Sequence, residues 1–364
     1  MKLLYGVVGE GMGHATRSRV VIEHLLDAGH EVEVVVSGRA HGLLADAFAR
    51  REGAGVRQIH GLNMIYADNE VKKRLTLASN LAGLNEGLPQ NIAQWFKTVQ
   101  TFSPDAVISD FESWAWLYGK VQRLPVISID NMQVINRCEH PDALLAPQRK
   151  AFLLSKAIVK AKLPGAAHYL VTTFFYPPVR KERTTLVPPI LRPEVLAAKA
   201  RAATTGIGDH VLVYQSGESH GALVDVMRSF DSTEFRVYGL RRDIDEPTRD
   251  GNLVFCPFSE RGFIDDLATA RAVIAGGGFS LMSECVFLGR PVLSVPLAGQ
   301  FEQILNAAWL QHLGYGLHRD HISRDDIDEL LTRADELAGN LAGYAQDGNT
   351  AMLAALDAQL RALA

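Results

Sequence analysis

Lys2-Leu3-Leu4-Tyr5-Gly6-Val7-Val8 runs straight into Gly9-Glu10-Gly11-Met12-Gly13-His14, and then into Ala15-Thr16-Arg17-Ser18-Arg19-Val20-Val21-Ile22. The first stretch is apolar without polar alternation, the pattern of a strand buried on both faces. The glycines turn the chain, and helical spacing of apolar residues takes over from Thr16 to Ala28. Strand, glycine turn and helix in that order open a βαβ unit, so the fold class is α/β with parallel sheets covered by helices. The apolar opening is far shorter than the ~18 residues of a spanning helix and meets the glycine loop at once. It reads as a first strand and not as a signal peptide.

The same alternation continues along the chain. Strands are expected at 32–36, 106–109, 126–129 and 169–172, with a long helical stretch over 71–102, and together these make one doubly wound domain over residues 1–186. Pro188, Pro189 and Pro193 each lack a backbone donor and fix φ, which excludes a helix interior or a central strand. An interdomain linker is therefore expected over 187–200. The pattern restarts with strands at 211–215, 235–238, 253–256, 272–275 and 291–295, giving a second α/β domain over 201–344. Residues 345–364 are rich in alanine and leucine and form a helix that either braces the N-terminal domain or caps the second one.

Composition narrows the function. The 364 residues suffice for two cores, and 47% hydrophobic with 21% charged residues is ordinary globular usage. Cys138, Cys256 and Cys285 lie far apart with no C-x-x-C pair, as in a reduced cytoplasmic protein whose thiols pack in the core. Up to Leu186 there are 22 lysines and arginines against 17 acids, a balance of +5, and beyond it 15 against 24, a balance of −9. The net acidity and the lack of an aromatic-basic pattern argue against a nucleic-acid partner.

Two glycine turns are candidates for chemistry. In the first, G-x-G-x-x-G read from Gly9 meets His14 where the last glycine belongs, and read from Gly11 it meets Thr16. The second strand ends in Val36-Ser37-Gly38-Arg39 without a ribose-binding acid, so a nicotinamide cofactor is not expected. The loop instead delivers the His14 imidazole to the mouth of a sheet, where open α/β folds bind ligands. Asp110 and Asp130 end two further strands and belong on the same rim; Asp110 is the first candidate to orient His14 and Asp130 the second, with helix capping as the structural alternative for both. The second turn is Ala275-Gly276-Gly277-Gly278-Phe279-Ser280 followed by Leu281-Met282-Ser283-Glu284. Its helix N-terminus offers backbone amides to a diphosphate, and Glu284, one turn beyond Ser280, is placed to accept from ribose hydroxyls. Close packing of a glycine turn with a solvated Glu284 is the alternative. Farther on, Glu302-Gln303 puts an acid and an amide on the next helix, a pair able to bond several sugar hydroxyls.

With these residues in place the chain resembles the MurG-like and UDP-glycosyltransferase branch of the GT-B glycosyltransferases over nearly its whole length. Gly11-Met12-Gly13-His14-Ala15-Thr16-Arg17 resembles the family's glycine loop with its catalytic histidine. Gly276 to Glu284, Gly289-Arg290-Pro291, Pro296, Glu302-Gln303 and Asn306 resemble the donor signature. The resemblance implies two Rossmann-like doubly wound domains facing across a cleft, with His14 as base and Asp110 its partner. It implies donor contacts from Gly11, Gly13, Ser216, Gly217, Phe258, Gly277, Gly278, Phe279, Ser280, Glu284, Glu302 and Gln303. Gly276 stands where plant-type members carry a phosphate-binding histidine and Ser280 where they carry asparagine, so diphosphate contacts lean on backbone amides. Retaining members place a glutamate eight positions before the ribose acid; here that position is Gly276, which implies inverting chemistry. No cofactor and no metal are expected, the nucleotide-sugar being a substrate.

Other features have plainer readings. Ser216-Gly217-Glu218-Ser219-His220 resembles a donor loop or is a turn, and Phe258 lies near the nucleobase or in the core. Asp243-Ile244-Asp245 imitates a metal-binding D-x-D but sits in a charged loop with no strand before it, so it reads as solvated surface. Lys72-Lys73-Arg74 and the basic, leucine-bearing stretch from Arg149 to Lys162 are either solvated helix faces or contacts to anionic lipid, which would make the protein membrane-associated and its acceptor a lipid. Besides an inverting glycosyltransferase, a nucleotide-sugar 2-epimerase, recognised by turnover without acceptor, and a non-catalytic nucleotide-sugar-binding subunit remain open.

Overall fold

The computed structural model describes residues 1–9, 12–59, 66–67, 70–71, 99–215, 221–241 and 243–363. Residues 72–98, which hold most of the expected 71–102 helix and Lys72, Lys73 and Arg74, lie outside them. The chain divides into two compact units, one of Met1–Tyr66, Val71–Ile190 and Asp347–Ala364, the other of Ala67–Glu70 and Leu191–Gln346.

The first unit is built on β1 (Lys2–Val7), β2 (Glu31–Ser37), β3 (Ala54–Ile59), β4 (Ala106–Asp110), β5 (Val126–Asp130), β6 (His168–Thr172) and β7 (Thr184–Val187). Their order is β3-β2-β1-β4-β5-β6-β7 and every pairing is parallel. The connections include α1 (Met12–Asp27), α2 (Ala40–Phe48), α3 (Ser113–Val121) and α4 (Arg149–Lys162). Leu3, Tyr5 and Val7 of β1 share a core with Val21, Ile22 and Leu25 of α1, which is why the strand carries apolar residues throughout. Gly9 is required at the end of β1: a Cβ there would overlap the Ser37 carbonyl, where the ends of β1 and β2 approach.

The second unit carries α5 (Pro193–Thr205), β8 (Val211–Tyr214), α6 (Gly221–Arg228), β9 (Phe235–Tyr238), β10 (Thr248–Asp250), β11 (Leu253–Cys256), α7 (Glu260–Thr269), β12 (Ala272–Ala275), α8 (Phe279–Leu288), β13 (Val292–Ser294), α9 (Phe301–His312), β14 (Gly316–His318) and α10 (Arg324–Leu341). The sheet order is β10-β11-β9-β8-β12-β13-β14, parallel except for the antiparallel β10–β11 edge.

The proline-rich segment is more structured than a linker over 187–200. Thr184–Val187 is the edge strand β7, and α5 begins at Pro193, where the first helical turn needs no donor from the proline. The unit boundary falls between Ile190 and Leu191. The last helix, α11 (Thr350–Arg361), puts Met352, Leu356 and Leu360 into the first unit's core, and His24 Nε2 meets Asp357 Oδ1 at 2.8 Å. Cys138, Cys256 and Cys285 are buried thiols. Among the described residues no helix is long and apolar enough to cross a membrane.

Candidate active site

Among the parallel strands of each sheet the order reverses direction at one place, between β1 and β4 in the first unit and between β8 and β12 in the second. Open α/β sheets leave a crevice beyond the carboxyl ends of the strands at such a switch point. His14 follows β1, and Asp110 is the last residue of β4, paired in register with Val7. The two side chains meet there.

His14 Nδ1 lies 2.9 Å from Asp110 Oδ1. Asp110 is 1% exposed and also accepts from Ser18 Oγ at 2.9 Å and Arg17 Nε at 2.9 Å, both on Oδ2. Arg17 Nη2 bonds Asp110 Oδ1 as well, so guanidinium and carboxylate form a two-pronged pair inside the protein. Arg17 Nη1 donates to Asn131 Oδ1 at 3.0 Å. Burial alone would raise the Asp110 pKa, but the Arg17 charge, and after it His14, hold it far below the carboxylate range.

The other acids at this rim do different work. Asp130 accepts from Ser128 Oγ at 2.6 Å and the Gln133 amide at 2.8 Å, which makes it the cap of the turn after β5. Burial pushes its pKa up to about 6. Glu112 caps α3, accepting from the Ala115 amide at 2.6 Å. Between Asp110 and Glu112, Phe111 has a φ of 54°, a conformation costly for a bulky residue, and the Lys162 ammonium sits 4.1 Å from its ring centroid.

In the second unit, the glycine turn after β12 leads into α8. Gly278 is exposed and a Cβ there would meet nothing within 4 Å, so the turn is open to solvent before the helix. Gly277 is the reverse: a Cβ would lie 2.5 Å from Gln303 Cβ and 2.6 Å from its carbonyl oxygen. That close approach lets Gln303 Oε1 accept from the Gly277 amide at 3.2 Å and the Leu297 amide at 3.0 Å, while Nε2 donates to Gln300 at 2.7 Å. Gln303 thus ties the glycine turn to the loop after β13, a task its sequence neighbours do not disclose. Asn306 Nδ2 bridges the Gly277 carbonyl at 3.2 Å and Glu302 Oε1 at 3.0 Å. Phe279 is buried and Ser280 half-buried in the first turn of α8, whose N–H groups have no acceptor within the helix by its geometry.

Glu284 is buried and is not the solvated residue of the alternative reading. Arg192, which precedes α5, donates Nε to its Oε1 and Nη2 to its Oε2, each at 2.7 Å, and Nη1 to Glu260 at 2.9 Å. Burial raises the Glu284 pKa, and Arg192 opposes that rise. Phe258 is not a core residue: it is 90% exposed on the loop between β11 and α7, two positions before Glu260. Asp243 is exposed and held by Arg241 through both oxygens at 2.7 Å, a surface ion pair.

Gly13 lies in the first turn of α1, its carbonyl accepting from Thr16 Oγ1 at 3.2 Å. Gly11 and the loop with Ser216 and Gly217 lie outside the described residues. Sequence reasoning gave Arg17 no role of its own and passed over Arg192. The signal for Arg17 was its place three residues after His14, on the same helical face; for Arg192, a lone basic residue inside a proline-rich run.

A family model described as "Glycosyl transferase family 1" matches residues 1–335. An uncharacterized glycosyltransferase of Methanosarcina acetivorans is 25% identical over 334 residues, covering 87% of this chain and 85% of its own. One of Methanosarcina mazei is 24% identical over 358 residues, with 87% and 85% covered. Among solved structures, the glycotransferase of kitacinnamycin superposes with a TM-score of 0.67 at 16% identity, over 98% of both chains. UGT2 of Phytolacca americana, complexed with UDP-2fluoro-glucose and pterostilbene, gives 0.63 at 14% over 98% and 99%. The spinosyn rhamnosyltransferase SpnG with spinosyn aglycone gives 0.61 at 14% over 99% and 100%. Both seven-stranded sheets of this chain match the GT-B fold of these neighbours.

Proposed function

Since the chain belongs to glycosyl transferase family 1 and is a glycosyltransferase of GT-B architecture, we propose that it moves a sugar from a nucleoside-diphosphate sugar, a UDP-sugar first among them, to an acceptor hydroxyl with inversion, using His14 as base. The observation that carries this reading is the contact of His14 Nδ1 with the buried Asp110 carboxylate at a sheet switch point. A carboxylate on one ring nitrogen orients the imidazole, and Nε2 is the nitrogen assigned to the acceptor hydroxyl.

In this reaction the acceptor O–H gives its proton to Nε2 while its oxygen bonds to the anomeric carbon. The bond from that carbon to the diphosphate oxygen breaks, its electron pair leaving with the nucleotide. The first unit activates the acceptor and the second holds the donor. There the amides at Gly278, Phe279 and Ser280 meet the diphosphate and offset its charge without a metal. Glu284 takes the ribose hydroxyls, the exposed Phe258 ring offers its face to the base, and Glu302 takes sugar hydroxyls. Gln303 and Gly277 serve this site by fixing the shape of the turn, since the Gly277 amide and both ends of the Gln303 amide are already engaged. The UDP-sugar held by the Phytolacca neighbour supports the choice of donor.

A membrane-borne acceptor has one specific observation in its favour. On α4, Leu153, Leu154 and Ile158 are exposed beside Lys150, Lys156 and Lys160, an apolar strip with basic borders that suits an anionic lipid surface.

The test is stereochemical and needs only a donor that turns over, found by thermal shift with UDP-, GDP- and dTDP-sugars. An α-linked donor should give a β-linked product by NMR coupling; an α-linked product overturns inversion.

A further inference from the structure

Asp110 is not held by His14 alone. Its two oxygens are taken by the Arg17 guanidinium, and the same guanidinium reaches the ring: Arg17 Nη2 lies 2.7 Å from His14 Nδ1, closer than the Asp110 oxygen at 2.9 Å. Since arginine only donates, and Nδ1 keeps its proton for Asp110 when Nε2 is the base, this approach acts through charge and not as a hydrogen bond. An arginine side chain that is 5% exposed, three residues from the histidine on the same helix, therefore stands at the point where the carboxylate meets the imidazole.

Elementary electrostatics gives that placement a consequence. A buried carboxylate alone beside an imidazole favours the imidazolium and raises its pKa. A base has to be neutral before it can take a proton, and an imidazole already protonated at working pH is useless for that purpose. A fixed guanidinium against both groups cancels the carboxylate's charge and adds repulsion toward the imidazolium, while the carboxylate still orients the ring. We infer that Arg17 is a positioning residue that shares Asp110 with His14 and keeps the imidazole neutral near neutral pH.

This inference deepens the reading of His14 as base and rests on it for its catalytic meaning. Other groups that titrate or carry charge enter the balance. Asp130 at the end of β5 acts on both Arg17 and Asp110, and Tyr5 of β1 faces them through Ser18. Burial drives the Tyr5 hydroxyl up, so it stays neutral, whereas Asp130 changes charge near pH 6 and needs a control.

The experiment is an NMR titration of the His14 ring in the full chain without ligand, assigned with His14→Gln and repeated in an Asp130→Asn background. In the unaltered protein the midpoint should lie no higher than about 7, near the ordinary imidazole value, in spite of the buried carboxylate. Arg17→Met should raise it by about one pH unit or more, and Arg17→Lys, which keeps the charge, should stay within about half a unit of the parent. A midpoint above about 7 in the unaltered protein, or one unmoved in Arg17→Met, overturns the inference; the first measurement decides if Arg17→Met does not fold. Failure of the base assignment itself reads differently: His14→Ala would retain full turnover whatever the titration shows.

Discussion

Arg192 grips Glu284 by both carboxylate oxygens, 2.7 Å on each side, and with its remaining nitrogen holds Glu260 two positions from the exposed Phe258. One guanidinium thus couples the acid assigned to ribose with the loop assigned to the base. The carboxylate has further lone pairs for two hydroxyls, and the arginine opposes the upward pull of burial on its pKa.

Glu284→Gln should weaken nucleotide binding by roughly 1 to 3 kcal/mol, since hydrogen bonds to a charged acceptor are lost and Arg192 is left with one acid fewer. Calorimetric titration with the donor nucleotide measures it. Unchanged affinity would remove Glu284 from the site.

His14→Ala should slow the chemical step by about 10² to 10⁴-fold with donor affinity nearly intact, because proton removal matters in the transition state. Single-turnover rates alongside nucleotide affinity separate the two effects; an equal loss in both would mean that His14 binds the donor.

Asp130 makes stability depend on pH. Its pKa is raised in the folded protein to about 6, above the ordinary aspartate value of 3.8, so the folded state binds the proton more tightly and its advantage disappears as pH rises from about 4 through 6. Asp130→Asn, which still accepts the Gln133 amide, should therefore stabilise the protein at pH 8 by on the order of 2 kcal/mol relative to its effect at pH 4. Urea unfolding at the two pH values is the measurement, and equal effects at both would contradict it.

Gly277→Ala places a methyl 2.5 Å from Gln303 Cβ, and the atoms in the way include backbone. A cost of roughly 1 to 3 kcal/mol in stability is expected, with weakened nucleotide binding as the turn shifts. Gly278→Ala, which meets nothing within 4 Å, is the matched control for the overlap. Similar melting temperatures for the two variants would refute the packing argument.

Flotation with anionic liposomes should carry the protein, fall with salt, and be reduced by Leu153→Ser with Ile158→Ser, two exposed positions of α4. No flotation, or equal flotation with neutral lipid, would leave a soluble acceptor.

Which strands the sequence disclosed follows a physical rule. Those expected were central and buried on both faces, such as β1, β4 and β12, whose apolar runs stand out. Within the two seven-stranded sheets, those not expected are β3, β7, β10 and β14, their four edges. β10 is Thr-Arg-Asp and β3 exposes Arg57 and Gln58; edge strands carry such polar residues to resist further pairing, and only their neighbour makes them strands. The site divides in the same way. His14 and Glu284 were legible because each stands at a fixed distance from a glycine turn. The Arg17–Asp110 and Arg192–Glu284 pairs span 93 and 92 residues, and no local spacing encodes such a meeting.

Helix α11 adds a constraint on biosynthesis. Met352, Leu356 and Leu360 close a hydrophobic core whose other walls come from the first 190 residues. While a ribosome is still making the second unit, that core has an open apolar side, and the first unit, though made before the second, is the last to be sealed. Chaperone dependence during translation should accordingly centre on the first unit, although it leaves the exit tunnel first.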